Sequence, residues 1–345
     1  MPAPIITKPN EHFNASLYTG NGGTQSITGV GFQPDFVWGK SRSNATSNFL
    51  YDAVRGVYKR LISDSTAAET DETGGGLSSF NSDGFTVQAN STENGNARTF
   101  VAWNWKAGGA AVTNTSGTIS SQVSANPIAG FSVVTYTGNG TAGATIGHGL
   151  GVAPSMMIAK NRSSGGSASY EWTVYHTSLG ATKAVFLNDT GAAATDAGYW
   201  YNTAPTSTLI TVPSNTRTNV NGSNFVIYCF AQVAGYSAFG SYTGNGSADG
   251  PFVFTNFRSR FIMFKNTTTG STNWQINDSA RDTFNVANKR LSPSTSDAEA
   301  TNFNFGDFLS NGFKIRQTDQ TWNKNGDTYI YAAFAENPFK FANAR

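Results

Sequence analysis

The 345-residue sequence is poor in charged residues, which make up only 13% of the chain. Exposed helix faces are usually built from charged helix formers, so this shortage disfavours a mainly helical protein. The formal net charge of +2 is close to neutral, and the lysines and arginines are scattered along the chain. The sequence therefore offers neither a basic surface for nucleic acid nor a polybasic patch for a membrane.

Several other features are missing. The single cysteine, Cys229, excludes an internal disulfide, and we expect it to be a small buried side chain. No apolar run is long enough to span a bilayer, and the start MPAPIITKPN is unlike a signal peptide. None of the histidines His12, His148 and His176 has a partner at metal-ligand spacing. We therefore expect no metal, no cofactor and no membrane insertion.

Glycine and aromatic residues are abundant, at 37 residues and 13% of the chain respectively. Together with many Val, Ile, Thr, Asn and Ser residues, they favour strands and turns over helices. The composition predicts an all-β protein with long polar loops.

The five-residue word YTGNG occurs three times, at 18–22, 136–140 and 242–246. Each copy is followed by an apolar run that a lysine closes: FVWGK at 36–40, MMIAK at 156–160 and FIMFK at 261–265. Each copy also ends with an apolar run: FVAWNW at 100–105, FVIYCF at 225–230 and YIYAAF at 329–334. Similar residues in the same order three times indicate an internal repeat.

The alignment divides the chain into an arm at 1–12, repeats at 13–109, 131–236 and 237–345, and a linker at 110–130. Each repeat is long enough to bury its own core, and its short strands and frequent turns predict a jelly-roll-like β-sandwich. The linker is low in aromatic residues, so we expect it to be flexible or loosely packed. Three homologous units in one chain can surround a pseudo-threefold axis, which is one possible arrangement beside a row of units or a homotrimer of the chain.

Two elements of each repeat have a specific expected position. Asn-Gly favours a tight hairpin, so each YTGNG should be a hairpin tip that follows a tyrosine at the end of a strand. The closing runs are apolar at nearly every position, which predicts central strands that are covered on both faces. The final residues of these strands, Trp105, Phe230 and Phe334, should be mostly inaccessible.

Longer stretches of the first repeat resemble a known phage domain. These stretches are YTGNGGTQSITGVGFQPDFVWGKSRS, LYDAVRG, FNSDGF and FVAWNWKAGG. They are similar to a repeat domain of phage virion structural and tail-fibre-type proteins, seen chiefly in phages of marine bacteria. The later copies keep weaker matches in GLGVAPSMMIAKNRS and FRSRFIMFKNT. The resemblance implies a virion protein and brings no catalytic residues with it.

The resemblance leaves three functions open. We expect neither a separate anchor domain nor a fibre shaft, and therefore a non-enzymatic capsid-decorating protein or compact tail appendage that binds other virion proteins, with a homo-oligomer left open. The alternative is an adhesin that binds host surface glycans, and a weaker alternative is a polysaccharide depolymerase. The candidate acids for a depolymerase, at 69–72 and at Asp297 and Glu299, appear in polar loops and are expected to be solvated.

Two sets of residues are candidates for binding. Aromatic residues in polar loops suit sugar rings or a protein groove, namely Tyr199, Trp200, Tyr201 and Trp322. The charged residues found at one aligned position in every repeat are Lys40, Lys160 and Lys265. Each closes an apolar run, so its stem should be half-buried. Its ammonium group would make either a structural ion pair or a contact with a threefold-related neighbour.

Overall fold

The computed structural model describes residues 6–338. Its strands are short and rich in β-branched and aromatic residues, and glycines with positive φ mark many of the turns between them. The two α-helices among the described residues have four residues each, α1 (Ser91–Asn94) and α2 (Ala197–Trp200). The expectation of an all-β protein is confirmed. No helix of the described chain is both long and apolar enough to cross a membrane.

The first segment, residues 13–109, contains nine strands. They are β1 (Phe13–Thr19), β2 (Gln25–Ile27), β3 (Phe36–Ser41), β4 (Phe49–Asp52), β5 (Lys59–Arg60), β6 (Thr70–Asp71), β7 (Leu77–Asn81), β8 (Gly84–Val87) and β9 (Thr99–Trp105). One sheet has the order β1-β9-β3-β4 and a second has the order β2-β8-β7, while β5 and β6 pair separately. All pairs are antiparallel.

The second segment, residues 131–236, is preceded by two strands of the linker. The strands of this part are β10 (Val112–Asn114), β11 (Ser121–Asn126), β12 (Phe131–Thr137), β13 (Ala144–Gly147), β14 (Met156–Asn161), β15 (Thr173–His176), β16 (Lys183–Phe186), β17 (Ala194–Thr195), β18 (Leu209–Val212) and β19 (Asn224–Phe230). Eight of them form one sheet in the order β10-β11-β12-β19-β14-β15-β16-β17, and β13 pairs with β18.

The third segment begins at residue 237 and is described to residue 338. Its strands are β20 (Ser237–Thr243), β21 (Phe252–Phe254), β22 (Phe257–Asn266), β23 (Gln275–Asp278), β24 (Gly306–Leu309), β25 (Gly312–Ile315) and β26 (Thr328–Pro338). They form two sheets, in the orders β20-β26-β22-β23 and β21-β25-β24.

The same four-strand order therefore occurs in each segment. The opening strand (β1, β12 or β20) pairs with the closing strand (β9, β19 or β26), which pairs with the lysine strand (β3, β14 or β22), which pairs with the strand that follows it (β4, β15 or β23). The closing strands β9, β19 and β26 each lie between two neighbours, as the sequence predicted. Their final aromatic residues are also inaccessible, with exposed fractions of 2% for Trp105, 5% for Phe230 and 3% for Phe334. Both parts of that prediction are confirmed.

Each closing strand contributes to two different cores. In β9, Phe100 and Ala102 pack in a cluster that belongs to the first segment alone, together with residues of the smaller sheet such as Phe85. The alternate residues Val101 and Trp103 point the other way, into a cluster that residues of all three segments share. The second and third segments each have a separate cluster of the same kind. The buried apolar residues within 6–338 thus form four cores, one within each segment and one between them.

Three aromatic rings meet in the shared core. Trp105 lies 6.0 Å from Phe230 and 5.6 Å from Phe334, and Phe230 lies 5.8 Å from Phe334, measured between ring centroids. All three contacts are edge-on, the geometry that aromatic quadrupoles favour. Residues at the same position of the three closing strands thus form a nearly equilateral triangle.

The YTGNG words make equivalent contacts but are not hairpins. The strands before and after the first word, β1 and β2, belong to different sheets, so the turn crosses from one layer to the other. The expectation of a hairpin tip is wrong, because Asn21 forms a reciprocal amide pair with Asn94 instead of turning the chain back along β1. The same pairing joins Asn139 to Asn219 and Asn245 to Asn323.

The tyrosine and the last glycine of each YTGNG word also fix the conformation at the end of the opening strand. The Tyr18 ring stacks on Phe100 at 4.9 Å, and its hydroxyl donates to the carbonyl oxygen of Glu93. Tyr136 and Tyr242 stack on the equivalent closing strands in the same way. The last glycine of each word has a φ near +70°, which favours glycine at that position.

The linker at 110–130 is not loosely packed throughout. Residues Ser121–Asn126 form β11, which pairs with β12 along its whole length. The expectation was wrong here because a strand needs few aromatic residues when it is held by main-chain hydrogen bonds. Of the arm at 1–12, the described part contains the buried Ile6 and a short 3₁₀ helix at Pro9–Glu11. Residues 1–5 and 339–345 lie outside the described residues.

Candidate functional site: the seams between the segments

The three aligned lysines lie where one segment meets the next. Each ammonium nitrogen donates to a main-chain carbonyl oxygen of another segment: Lys40 to Ser296 at 2.8 Å, Lys160 to Thr66 at 2.8 Å and Lys265 to Thr190 at 3.1 Å. A second bond runs within the lysine's own segment, to Thr46, Tyr170 or Thr272. The lysines are completely buried rather than half-buried as expected, because each lies between two segments. That these segments are related by a threefold axis stays a prediction.

These contacts form a closed ring. A loop of the first segment reaches the lysine of the second, a loop of the second reaches that of the third, and a loop of the third reaches that of the first. Burial lowers the pKa of Lys40 to about 8, of Lys160 to about 7 and of Lys265 to about 8. The lysines are therefore unusually easy to deprotonate for their type.

A main-chain hydrogen bond also recurs at each seam. The donors and acceptors are Glu69 N to Arg162 O at 3.0 Å, Ala193 N to Thr267 O at 3.0 Å and Glu299 N to Arg42 O at 2.8 Å. At two seams an indole adds a further bond, from Trp172 Nε1 to Ile62 O and from Trp274 Nε1 to Phe186 O. The three seams therefore share the same main-chain hydrogen bond, and two of them also share an indole hydrogen bond.

A buried ionic network fills the seam between the first and second segments. Arg55 is fully buried and pairs with Asp52 and with Glu69. Glu69 also binds Arg162 of the second segment at 2.8 Å, while the Tyr228 hydroxyl donates to Asp52. Burial raises the pKa of Glu69, but the hydrogen bond from Arg162 and the charge of Arg55 outweigh it, so the net pKa is lowered. The carboxylate is consequently held in its charged form.

The seam between the third and first segments has the same network. Arg281 pairs with Asp278 and Glu299, and Glu299 binds Arg42 of the first segment at 2.8 Å. The Trp103 indole donates to Asp278 at 3.0 Å, where Tyr228 does so in the other seam. The opposing effects on the pKa of Glu299 again leave it lowered.

The seam between the second and third segments has lost this network. His176 occupies the position of Asp52 and Asp278, as the strand registers show. Its ring is buried and bonds to the carbonyl oxygen of Tyr331 through Nε2. Burial lowers the pKa of His176 to about 4, and the bond to Tyr331 only partly opposes this. A neutral imidazole thus stands here in place of the carboxylate of the other two seams, and Lys265 supplies a charged group to this seam.

The expectation that the candidate acids are solvated is wrong for two of them. The side chains of Glu69 and Glu299 are only 14% and 7% exposed, and each binds two arginines. A general acid or base must be able to reach a substrate. These carboxylates instead join neighbouring segments.

The aromatic loop of the second segment divides into buried and accessible parts. Asp196 caps α2 by accepting a hydrogen bond from Gly198, and the helix turns Trp200 inward, where it is completely buried. Tyr201 ends the helix at a φ of 53° and is 44% exposed. Tyr199 is half-buried, with the Arg217 guanidinium over its ring. An accessible binding role is wrong for Trp200 and stays a prediction for the tyrosines.

Trp322 is also completely buried, contrary to the accessible position expected from its loop. Its ring lies 6.3 Å from Phe264 and 5.8 Å from Phe303. The Arg290 guanidinium lies 5.4 Å from the ring centroid. This residue belongs to the core of the third segment.

Sequence reasoning missed the buried arginines at the seams. The signal was an Asp-x-x-Arg spacing at one aligned place in two repeats, in YDAVR at 51–55 and NDSAR at 277–281. A search restricted to residues shared by all three repeats passes over it, because the second repeat has His176 and Leu179 there.

The fold and seams define an all-β protein in which three similar segments are joined through buried polar contacts. No group of three His, Cys, Asp or Glu residues within 6–338 could hold a metal ion. A family model described as Domain of unknown function (DUF7483) matches residues 8–338, and the chain belongs to this family. No curated protein and no solved structure matches the chain.

Proposed function

We propose that the chain is a non-enzymatic structural protein of a phage virion that binds other virion proteins, as a capsid decoration or compact tail appendage. In this proposal the segments are three tandem jelly-roll-like β-sandwiches around a pseudo-threefold axis. Phage surfaces offer threefold and quasi-threefold positions, and a protein of matching symmetry can present similar faces to several neighbours.

The observation that carries the proposal is the closed ring of seam contacts. Equivalent main-chain bonds link the first segment to the second, the second to the third and the third to the first. Closed cyclic arrangements require this kind of head-to-tail contact. The triangle of Trp105, Phe230 and Phe334 is also what residues near a threefold axis would form.

Rigidity supports a structural role. The shared core leaves a cavity of only about 10 Å³ between residues such as Trp38, Met156 and Phe261. The charged groups at two seams are tied into ion pairs across the segments. A block of this kind resists deformation because its interior is close-packed. The similarity of the sequence to phage virion repeat domains supports the proposal that this structural role belongs to a phage virion.

The test is to purify particles of the phage that encodes the chain and locate it by mass spectrometry and electron cryomicroscopy. The proposal expects the chain in intact particles at a fixed copy number, with density that fits the three segments at a capsid or tail position. A chain that is abundant in the infected cell but absent from washed particles contradicts the proposal.

Glycan binding is the second candidate, and Tyr201 favours it. Its ring is 44% exposed in a loop that also contains Tyr199 and polar residues. Aromatic faces next to hydrogen-bonding groups suit sugar rings. If the protein is an adhesin, it binds host cells or extracted surface polysaccharide, and Tyr201→Ala weakens this binding without changing stability. Binding that Tyr201→Ala leaves unchanged rejects this loop as the glycan site.

A further inference from the structure

The opening strands of the first and second segments differ in what lies beside them. β12 has β19 on one side and β11 on the other, whereas among residues 6–338 β1 pairs only with β9. All residues of β12 except Thr137 are buried, while Leu17 and Thr19 of β1 are exposed. The first segment therefore has a strand edge open at the place where the second has an added strand.

The open edge has main-chain groups that point away from β9, and those of Leu17 belong to a residue that is 43% exposed. In an antiparallel ladder, the residues of one strand alternate between bonding to their neighbour and pointing away from it. The bonds from Lys106 N to His12 O and from Gly20 N to Arg98 O fix this alternation for β1 and β9. Ala15 and Leu17 consequently direct their N–H and C=O groups away from β9. Within 6–338 no residue bonds to these groups of Leu17. Ala15 N donates to Asn14 Oδ1 at 3.0 Å and Ala15 O accepts from Arg260, so an added strand would replace these two bonds.

A groove of about 410 Å³ runs along this edge. One wall is β1 from Asn14 to Leu17, and the opposite wall belongs to the third segment, with Arg260, Ser279 and Glu336. Leu17 is 43% exposed, and its equivalent on the open edge of β20 is the polar Ser241. The groove therefore combines the unpaired main-chain groups of Leu17, its exposed apolar side chain and a polar opposite wall.

Two charged residues line the groove, Arg260 and Glu336, and the Glu336 carboxylate is already paired with Arg258 at 2.7 Å. The Arg260 guanidinium donates to Ala15 O at 3.2 Å and to Asn14 Oδ1 at 3.3 Å, and no carboxylate within 6–338 pairs with it. The equivalent residue of the first segment is Asp35, one position before the lysine strand. Asp35 accepts from Gly109 N, and Gly109 O accepts from the hydroxyl of Ser124 in β11. In the second segment, Ser124 of the added strand β11 is therefore linked through Gly109 to Asp35 of the preceding segment. If a strand were added to β1 in the same way, its residue equivalent to Ser124 would face Arg260, the residue equivalent to Asp35.

We propose that the edge of β1 binds an extended segment of a partner polypeptide as an additional antiparallel strand, with an acidic side chain facing Arg260. The template for the geometry is β11 on β12, where Gln122 and Ser124 stand opposite Thr135 and Val133. Thr135 and Val133 correspond to Leu17 and Ala15. Main-chain bonds would supply affinity and the acidic residue would supply selectivity, as in other cases of strand addition. This inference goes beyond the proposed function, because it does not require the partner to be a virion protein.

The test uses the full chain and a labelled, end-capped peptide with the sequence of residues 120–127, in which Asp replaces Ser124. We expect saturable binding and slower hydrogen exchange of the Leu17 amide. A peptide that keeps Ser at this position should bind about two- to fivefold more weakly, as expected for a partly exposed ion pair. Arg260→Gln should remove this difference.

Two controls separate strand addition from other binding. Methylation of the peptide nitrogen at the position of Gln122 should abolish binding, whereas methylation at Val123 should not, because only the former nitrogen faces the protein strand. Leu17→Pro should weaken binding about tenfold, since proline removes the outward donor. Ser241→Pro, at the equivalent position on the edge of β20, should leave binding unchanged, and thermal unfolding checks that both variants fold.

Several results would overturn the proposal. They are absence of saturable binding, equal binding of the two methylated peptides, or equal effects of Leu17→Pro and Ser241→Pro. A Leu17 amide that becomes protected without peptide as protein concentration rises would assign the edge to a second copy. Protection without peptide at every concentration would assign it to the chain itself.

Discussion

The ammonium nitrogen of Lys160 lies 2.8 Å from the carbonyl oxygen of Thr66, a residue of the preceding segment. A lysine in the same place of each repeat makes this kind of bond across a seam. A buried ammonium group loses its hydration, which is why the pKa of Lys160 falls to about 7. The contact that joins the segments is therefore also sensitive to pH.

The first prediction concerns this sensitivity. The ordinary pKa of lysine is 10.5, so between about pH 7 and that value the unfolded chain binds more protons at Lys160 than the folded chain does. The free energy of unfolding should consequently rise as the pH is raised from about 7 to about 9. Urea denaturation at several pH values measures it.

Lys160→Met tests the origin of this rise. Methionine cannot titrate, so the dependence on pH should become shallower in this range. The variant also leaves the carbonyls of Thr66 and Tyr170 without their donor, at a cost of about 1–3 kcal/mol at the alkaline end. Lys183→Met is the matched control, because Lys183 is exposed. An identical rise in wild type and Lys160→Met would contradict the explanation.

The second prediction concerns the ionic network. Glu69→Ala removes a partner of the buried Arg55 and the link to Arg162, so we expect a loss of about 3 kcal/mol in the free energy of unfolding. The control is Glu11→Ala, which removes a solvent-exposed partner of Lys8 and should have no measurable effect. Equal results for the two variants in urea denaturation would mean that the network does not stabilise the seam.

The third prediction concerns mild acid. His176 has a pKa of about 4 when folded and an ordinary value of 6.5, so protonation favours the unfolded chain. Stability should therefore fall as the pH is lowered through this window. His176→Asn should make the fall shallower than in wild type when unfolding is followed by tryptophan fluorescence. If the variant follows the same curve as wild type, His176 is not responsible for the acid sensitivity.

The fourth prediction concerns the shared core. Phe334→Ala removes one ring from the triangle with Trp105 and Phe230, and we expect a loss of about 3–5 kcal/mol. Because all three segments contribute to this core, the whole unfolding transition should move to lower denaturant without splitting. Phe284→Ala is the control, since that ring is 78% exposed. A variant in which only the third segment loosens, as seen by hydrogen exchange, would contradict the prediction.

The sequence predicted the class and the central closing strands, and it singled out the lysines without predicting that they would be completely buried. Lys40 stands out because the same residue type closes the same apolar run three times. The apolar closing runs indicated that both faces of the closing strands are covered. They did not indicate that the other segments would cover the second face. That fact depends on long-range packing, which no local pattern specifies.

The failures have local physical causes. Trp200 lies in a polar loop, yet a one-turn helix capped by Asp196 directs it inward, and neighbouring residue types do not determine that direction. The YTGNG turn has a hairpin composition, but the pairing of Asn21 with Asn94 sends the chain into the other sheet. Glu69 looked solvated because its partners Arg55 and Arg162 are distant in the sequence or in another repeat.

Scanning calorimetry of the full chain tests most directly whether the three segments form one structural unit around a shared core. One unit predicts a single transition, with a ratio of calorimetric to van't Hoff enthalpy of about one. Equilibrium unfolding followed by tryptophan fluorescence and by circular dichroism should then give coincident curves. Three resolved transitions, or an enthalpy ratio of about three, would show that the segments unfold independently and would contradict the single unit.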